Sequence, residues 1–348
     1  MRVGIIGTGA IAFKHAQSYR NIGYELVACT NTNAAKGLAF AETFGAEFVG
    51  TAEALCSHTQ VDYVDVCTPP CFRLDAVKLC AASGKHILVQ KPVALDVLTA
   101  KAMIDIARIA KIQFGVVSQH RFDDSIQFLK RAIDAGRLGR ILEADAYVKW
   151  YRSTDYYSRP VKGSWEGEGG GALINQAIHQ IDILLFLAGP VDKVTGFWQL
   201  GALHKIESED LVNALMCFRS GAIGVIQAST AFWPGYPERL EIHGTNGTAI
   251  IRGDRLTHWD VLRDNGVAPV LAADQISSGA SDPMAISLIP LERQLLDFGN
   301  ACMTGRQPLS SGADGYRALE LVSSIYESCR TARTINIDPS SLGQIELD

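Results

Sequence analysis

The sequence predicts an α/β protein of two domains. The first is a parallel, doubly wound layer structure; the second is an α+β domain built on a large open, mostly antiparallel sheet. Three observations lead there. Over the first 120 residues, short unalternating apolar runs recur between amphipathic segments, as for strands buried on both faces between helices. A glycine-rich turn, Gly7-x-Gly9-x-x-Ala12, stands between the first apolar run and the first helical segment. After His120 the apolar residues alternate in twos between turn signals, the pattern of half-exposed strands.

The runs at 2–7, 25–30, 46–50, 61–68, 86–90 and 112–118 are read as parallel strands, with a helix over 95–110. The texture changes near residue 122, which divides the chain into domains 1–122 and 123–348. In the second, a helix over 123–135 leads to a strand over 140–153 and then to a helix around His179. Strands follow at 193–200, 209–219, 222–232, 238–244 and 248–252. The stretches 219–222 and 244–248 carry hairpin-turn residues, 264–288 reads as a long loop, and a last helix spans 314–332.

At 348 residues each domain can bury a core of its own. The net charge of −5 argues against a nucleic-acid partner. No run reaches the roughly 18 apolar residues of a membrane span, and the opening MRVGIIGTGA reads as structure, not as a signal peptide. The eight cysteines show no CxxC pair and no spacing with histidine suited to a metal. They are expected to be reduced, in a cytoplasmic protein with no metal site.

The glycine motif carries the first chemistry. Gly7 permits the tight turn, Gly9 lets backbone approach a pyrophosphate, and Ala12 allows close helix–strand packing. The N–H groups of Ala10, Ile11 and Ala12 open a helix whose positive end suits an anion. This is a Rossmann dinucleotide site. Asn31 and Thr32 stand at the end of the second strand, where an NAD-preferring site carries an acid. Their neutrality, with Lys36 nearby, tilts an NAD(P) assignment toward NADP. Thr68-Pro69-Pro70 forms a second wall, and Gln90-Lys91-Pro92 ends the fifth strand beside the nicotinamide position.

Gly169-Gly170-Gly171 precede ALINQAIHQID, which places Asn175, His179 and Asp182 on one face if the segment is an α-helix. His179 is then either a core histidine held by polar neighbours or a general base. Asp182 reads more readily as structural.

In this order, Gly7-x-Gly9-x-x-Ala12, Thr68-Pro69-Pro70, AASGKHILVQKP (81–92), GGGALINQAIHQID (169–182) and GTNGTAII (244–251) resemble the Gfo/Idh/MocA oxidoreductase family. The resemblance spans the chain. It implies a dinucleotide-binding first domain and a second domain for substrate binding and oligomerisation, as a homodimer or homotetramer. It implies hydride transfer between NAD(P) and a secondary hydroxyl, with Lys91 and His179 catalytic. The stretch 149–191 is similar to the WlbA-type branch, which oxidises C3 of a UDP-linked sugar acid, and Asn175 is shared with that branch. A sugar or sugar nucleotide is therefore the expected substrate; inositol, a free sugar or an anhydrosugar is the alternative, and a non-catalytic dinucleotide sensor the alternative of another class. Lys91 would polarise the reacting oxygen, His179 would take its proton and Asn175 would orient the substrate. Gln119 and Trp165 are expected to face the cofactor. Arg121, Arg152, Tyr156, Tyr157 and Gln176 are expected to contact substrate, with Arg152 a candidate clamp for a carboxylate. The chain departs from the family at Gln90, where a Glu is usual, at Arg73, where a His is usual, and at Asn31.

Overall fold

The computed structural model describes residues 1–159, 161–262, 278–280, 287–338 and 340; most of the expected 264–288 loop lies outside the described residues. The chain divides into two compact units.

The first unit holds six strands, β1 (Arg2–Ile6), β2 (Glu25–Thr30), β3 (Glu47–Phe48), β4 (Tyr63–Val66), β5 (His86–Val89) and β6 (Phe114–Val116). All pair in parallel, in the order β3-β2-β1-β4-β5-β6. Helices α1 (Ala10–Asn21), α2 (Ala34–Phe44), α3 (Ala52–Cys56), α4 (Arg73–Ala82) and α5 (Val97–Ile109) intervene. Every residue of β4 is buried, which is why these strands read as unbroken apolar runs. Short polar side chains start the helices: Asn33 accepts the Lys36 N–H, Thr51 that of Ala54 and Asp96 that of Thr99. The strand order reverses between β1 and β4, so their carboxyl ends flank the crevice where such sheets bind ligands.

The second unit carries α6 (Asp124–Asp134), β7 (Ile141–Lys149), the short helices α7 (Thr154–Tyr157) and α8 (Trp165–Glu168), and α9 (Ile178–Ala188). Strands β8 (Val191–Leu200), β9 (Glu209–Phe218), β10 (Ile223–Ser229), β11 (Arg239–Gly244), β12 (Gly247–Arg252), β13 (Arg255–Val261) and β14 (Ile335–Asn336) complete it. The sheet order is β13-β12-β11-β7-β10-β9-β8-β14, and every pairing is antiparallel except β7 with β10. The expected turns close β9 to β10 through Gly221 and β11 to β12 through Thr245-Asn246. α9 packs on β7, and Val212, Ala214 and Met216 of β9 point inward. The opposite face is open and apolar: Phe197 is 70 %, Leu215 62 % and Ile223 55 % exposed. The run Trp165–Ala188 is long and apolar enough by composition to cross a membrane, contrary to the expectation that no run is, yet 72 % of its most apolar window is buried in the fold.

Two later helices, α10 (Ile289–Thr304) and α11 (Gly312–Thr331), change the expected domain division. Assigning all of 123–348 to the second domain does not describe the packing, because Leu288–Tyr316 belongs to the first unit. The reason is the helical spacing of Leu291, Leu295 and Phe298, which join the core of Val3, Ile5, Tyr19 and Tyr63. Phe298 meets Tyr63 edge to face at 5.1 Å. Neither α10 nor β13 was legible as an element in the sequence.

Leu295 is fully buried. Leu295→Ala is expected to destabilise the first unit by about 2–5 kcal/mol, read as a lower urea midpoint; a change under about 1 kcal/mol would show that α10 contributes little to that core.

Candidate active site

The first unit brings the cofactor-site residues together at the ends of β1, β2 and β4. Gly7 has φ +90°, and a Cβ there would sit 3.0 Å from Thr68 Cγ2, so both the turn and the contact with the Thr68 loop require glycine. A Cβ on Gly9 would meet nothing within 4 Å. Gly9 precedes α1, which has no side-chain cap and no acid in its first turn. Open space at an uncapped helix N-terminus suits a pyrophosphate. Thr68 Oγ1 and Gln119 Oε1 are buried without hydrogen-bond partners; such atoms in a crevice call for a ligand or water. These features fit a nicotinamide dinucleotide held by Gly7, Gly9, Ala10–Ala12, Thr68 and Pro69. Asn31 lies at the end of β2 with both side-chain atoms engaged: Nδ2 donates to Thr8 Oγ1 at 2.6 Å, and Oδ1 accepts from Asn33 N–H at 2.8 Å. Thr32 is exposed beside it.

Lys91 follows β5 and is half-buried, while Gln90, Pro92, Val93 and Ala94 around it are buried. Gln90 was expected to bind the cofactor, but its side chain is buried and turned to His15. Its Nε2 lies 2.5 Å from His15 Nε2, and His15 Nδ1 lies 2.6 Å from Asp65 Oδ2. With the amide donating to Nε2, the His15 Nδ1–H donates to Asp65 Oδ2. Tyr19 O–H also donates to Asp65 Oδ2, at 2.7 Å, and both His15 and Asp65 are fully buried. A carboxylate at 90 would lack that N–H donor, which gives glutamine there a physical reason. His15, Asp65 and Cys67 bring ligand-type atoms within 4.8 Å of one another, and the 2.6 Å His15–Asp65 contact is a direct hydrogen bond. This network escaped the sequence reading; the charged Asp65 in a buried strand was its one signal.

Arg73 is buried and opens α4. Its Nε and Nη2 donate to Thr68 O at 3.0 and 2.8 Å, and its Nη1 to Gln90 O and Pro92 O. Burial lowers the guanidinium to about 9, still cationic at neutral pH. It holds loop backbone rather than adding charge to an exposed cofactor wall.

In the second unit, His179 sits near the start of α9, after a π-helical turn at Leu173–Ala177. The wider turn replaces the regular α-helix from which the common face of Asn175, His179 and Asp182 was expected. Between Gly170 and Leu184 only Asn175 and His179 are partly accessible; every other residue is buried. Asp182 is buried. The glycines before this turn admit close neighbours: a Cβ on Gly171 would fall 1.8 Å from Glu209 O, and one on Gly170 2.3 Å from Tyr326 Oη. Glu209 anchors the turn, its Oε1 accepting the Leu173 N–H and Tyr326 O–H and its Oε2 the Gly171 N–H, each at 2.8 Å. Burial pushes the Glu209 carboxyl up to about 7, against those donors.

His120 faces His179 edge to face at 5.2 Å and is 2.9 Å from Asp123 Oδ2 through Nδ1. Burial pushes its imidazole down, but the hydrogen bond and charge of Asp123 prevail and raise its pKa above the ordinary 6.5. Gln176 donates to Tyr156 Oη at 3.2 Å, Tyr157 shares a 2.7 Å hydrogen bond with Thr230, and Gln176 Oε1 is buried without a partner. Tyr156 thus joins Gln176 by a hydrogen bond and Tyr157 by an edge-to-face contact. His120 and Glu209 were not singled out from sequence; nothing in their local patterns marks them.

Two expected substrate contacts take other roles. Arg121 forms a buried bidentate pair with Asp182, Nε and Nη2 each 2.7 Å from a carboxylate oxygen, with its guanidinium 4.9 Å from the Phe186 ring centre. Arg152 Nη1 donates to Tyr151 O and Ala280 O, and Nη2 to Gly279 O. Both fork ends are thus taken by backbone carbonyls and do not serve as a carboxylate clamp. Trp165 packs against Trp198 and Tyr326 and donates Nε1–H to Glu207 O at 3.1 Å. That is an aromatic cluster of the second unit.

A dinucleotide cradle on a doubly wound sheet, joined in one chain to an open-sheet domain presenting a histidine and an asparagine, defines a nicotinamide-dependent oxidoreductase. The chain belongs to the Gfo/Idh/MocA family: residues 1–118 match its oxidoreductase domain with the NAD-binding Rossmann fold, and residues 126–250 its C-terminal domain. It is 27 % identical to inositol 2-dehydrogenase of Rhizobium meliloti, over 97 % of this chain and 99 % of that protein. It is 28 % identical to D-apiose dehydrogenase of Paraburkholderia graminis, over 96 % and 88 %. The crystal structure of the WlbA dehydrogenase from Bordetella pertussis, in complex with NADH and UDP-GlcNAcA, superposes with a TM-score of 0.84 at 28 % identity, covering 97 % of this chain and 98 % of that one.

Glu209 gives a pH prediction. The unfolded carboxyl ionises near its ordinary 4.5 and the folded one at about 7. Between these values the folded state holds more protons, so stability falls as pH rises across that window. The loss is on the order of 3 kcal/mol, at about 1.4 kcal/mol per pH unit. Urea titrations below about pH 5 and above about pH 7 should show it in the parent and not in Glu209→Gln; equal slopes in both would refute it.

Arg121→Met alone should cost about 3–5 kcal/mol, by stranding Asp182, whereas Arg121→Met with Asp182→Leu should recover most of that loss. Failure of the double variant to recover would show that the pair does more than neutralise itself.

Proposed function

We propose that the protein oxidises or reduces a secondary hydroxyl, at C3, of a sugar or sugar nucleotide, using NAD(P). The observation that carries this is the selective accessibility of Asn175 and His179 on an otherwise buried segment, together with a half-buried Lys91 ending β5. A core histidine would share the burial of its neighbours. His179 takes the hydroxyl proton as general base, a task suited to an imidazole near neutrality. Asn175 orients the ring, with Gln176, Tyr156 and Tyr157 beside it. Lys91 hydrogen-bonds the reacting oxygen and stabilises the charge that develops there. A nicotinamide dinucleotide, when bound, supplies the hydride acceptor.

A neutral ring substrate is a second reading with support of its own. Arg121 and Arg152, the two cations expected to contact substrate, spend their forks on Asp182 and on backbone carbonyls, and Arg152 was the one expected to clamp a carboxylate. Inositol, a free sugar or an anhydrosugar needs no such clamp. For the cofactor, the end of β2 presents Asn31 and Thr32 and no carboxylate to repel a 2′-phosphate; we assign acceptance of NADP alongside NAD. The outward face of the second sheet forms a shallow depression of about 400 Å³ lined by Val194, Leu215, Ile223 and Val225 among others. Apolar area of this kind supports a homo-oligomer through that face.

A screen of both dinucleotides against UDP-sugars, sugar acids, neutral sugars and inositols tests the reading. Turnover of neutral rings alone selects the second reading, and no dinucleotide reduction by any member overturns both. On the best substrate, Lys91→Ala and His179→Ala should each lower kcat by about 100-fold or more while dinucleotide binding persists. Unchanged kcat in either variant removes that residue from the chemistry.

A further inference from the structure

We propose that Arg73 is the positioning residue of Lys91: a buried guanidinium that grips the backbone on both sides of the lysine and ties it to the Thr68 loop. This rests on the reading of Lys91 as the group that meets the reacting oxygen.

Arg73 is 2 % exposed, and its guanidinium donates to the carbonyl oxygens of Thr68, Gln90 and Pro92. Burying a cation against backbone oxygens alone is costly, so where the oxygens belong matters. Gln90 O and Pro92 O are the carbonyls immediately flanking Lys91. Thr68 O ends the neighbouring strand loop, since β4 and β5 pair in parallel. Thr68 also carries the unpartnered buried Oγ1 of the cofactor crevice. One rigid fork therefore joins the loop that lines the dinucleotide crevice to the peptide units from which the Lys91 side chain departs. A planar guanidinium spreads donors over several directions, which suits three separate carbonyls; an ammonium is a point charge on a flexible stem.

The flanking side chains add to this. Gln90 is held from the other side by His15, itself bound to Asp65. The residue before Lys91 is thus fixed through both its side chain and its carbonyl, while Lys91 alone remains accessible in that run. Such a frame sets the Nζ position without touching it, so loss of Arg73 should act on chemistry chiefly through Lys91, with a smaller effect on dinucleotide affinity through the Thr68 loop.

The test combines a kinetic cycle with a measurement needing no substrate. Arg73→Met and Arg73→Lys are made in the parent and in Lys91→Ala, and folding is checked by circular dichroism. Lysine acetylation by acetic anhydride is followed across pH by peptide mass spectrometry, with Lys85 and Lys101 as internal references. In Arg73→Met the Lys91 labelling profile should shift while the references stay fixed; in Arg73→Lys the shift should be smaller. On the best substrate from the screen, Arg73→Met should lower kcat about 100-fold, the scale of a misplacement of about 1 Å, with NADH affinity by fluorescence titration within about threefold. In the Lys91→Ala background the same change should cost nothing further in kcat, since residues acting through one group are not additive. An unshifted Lys91 profile in a folded Arg73 variant, or an equal kcat loss in both backgrounds, overturns the proposal. If Arg73→Met does not fold, Arg73→Lys decides by the same two readouts. Lys91→Ala with unchanged kcat overturns the catalytic reading instead, while the labelling result still decides whether Arg73 positions the lysine.

Discussion

The Glu209 carboxylate is the constraint on which the glycine-rich turn of the second unit depends. It takes two backbone N–H groups from the turn that starts at Gly171, and the hydroxyl of Tyr326. Those N–H groups belong to a helix beginning, whose first donors have no partner within the helix. By supplying an acceptor from β9, the fold fixes the orientation of the π-helical turn and of α9 behind it. His179 and Asn175 then emerge at set positions from a segment otherwise sealed in the core. The cost is a buried acid whose pKa is pushed to about 7, repaid by the order it imposes on a glycine-rich stretch that would otherwise lose much entropy on folding.

The same economy of buried charge recurs in both units. Arg121, Arg152 and Arg73 are each less than 5 % exposed, and each gives donors to the protein itself: a carboxylate in one case, backbone carbonyls in the other two. Arginine suits this task because its fork is rigid and always charged. The buried Asp65 is satisfied in its turn by His15 and Tyr19. Lys91, Asn175 and His179 stay partly accessible among neighbours that are buried.

Much of the fold was legible in the linear pattern. Strands buried on both faces produce unbroken apolar runs, and strands covered on one face produce alternation, so the two sheets announced themselves. The glycine turn after β1 was legible because its chemistry is local: one turn, one helix end, one small residue. α10 was not, because its apolar spacing follows a stretch that reads as loop, and nothing nearby says that its core lies in the unit begun by β1. β13 hid because its alternation includes Thr257, His258 and Asp260.

By itself the sequence determined the fold class, the dinucleotide crevice and the family, since each rests on residues close together in the chain or on motifs in a set order. It could not say which arginines face a ligand. An arginine's role depends on which oxygens come within reach of its fork, and Asp182, Ala280 and Pro92 are brought there by tertiary packing alone. Nor could it separate a core histidine from an accessible one. The π-helical turn that shifts the phase of the helix is set by contacts with β9 and α11, and only the folded chain contains them.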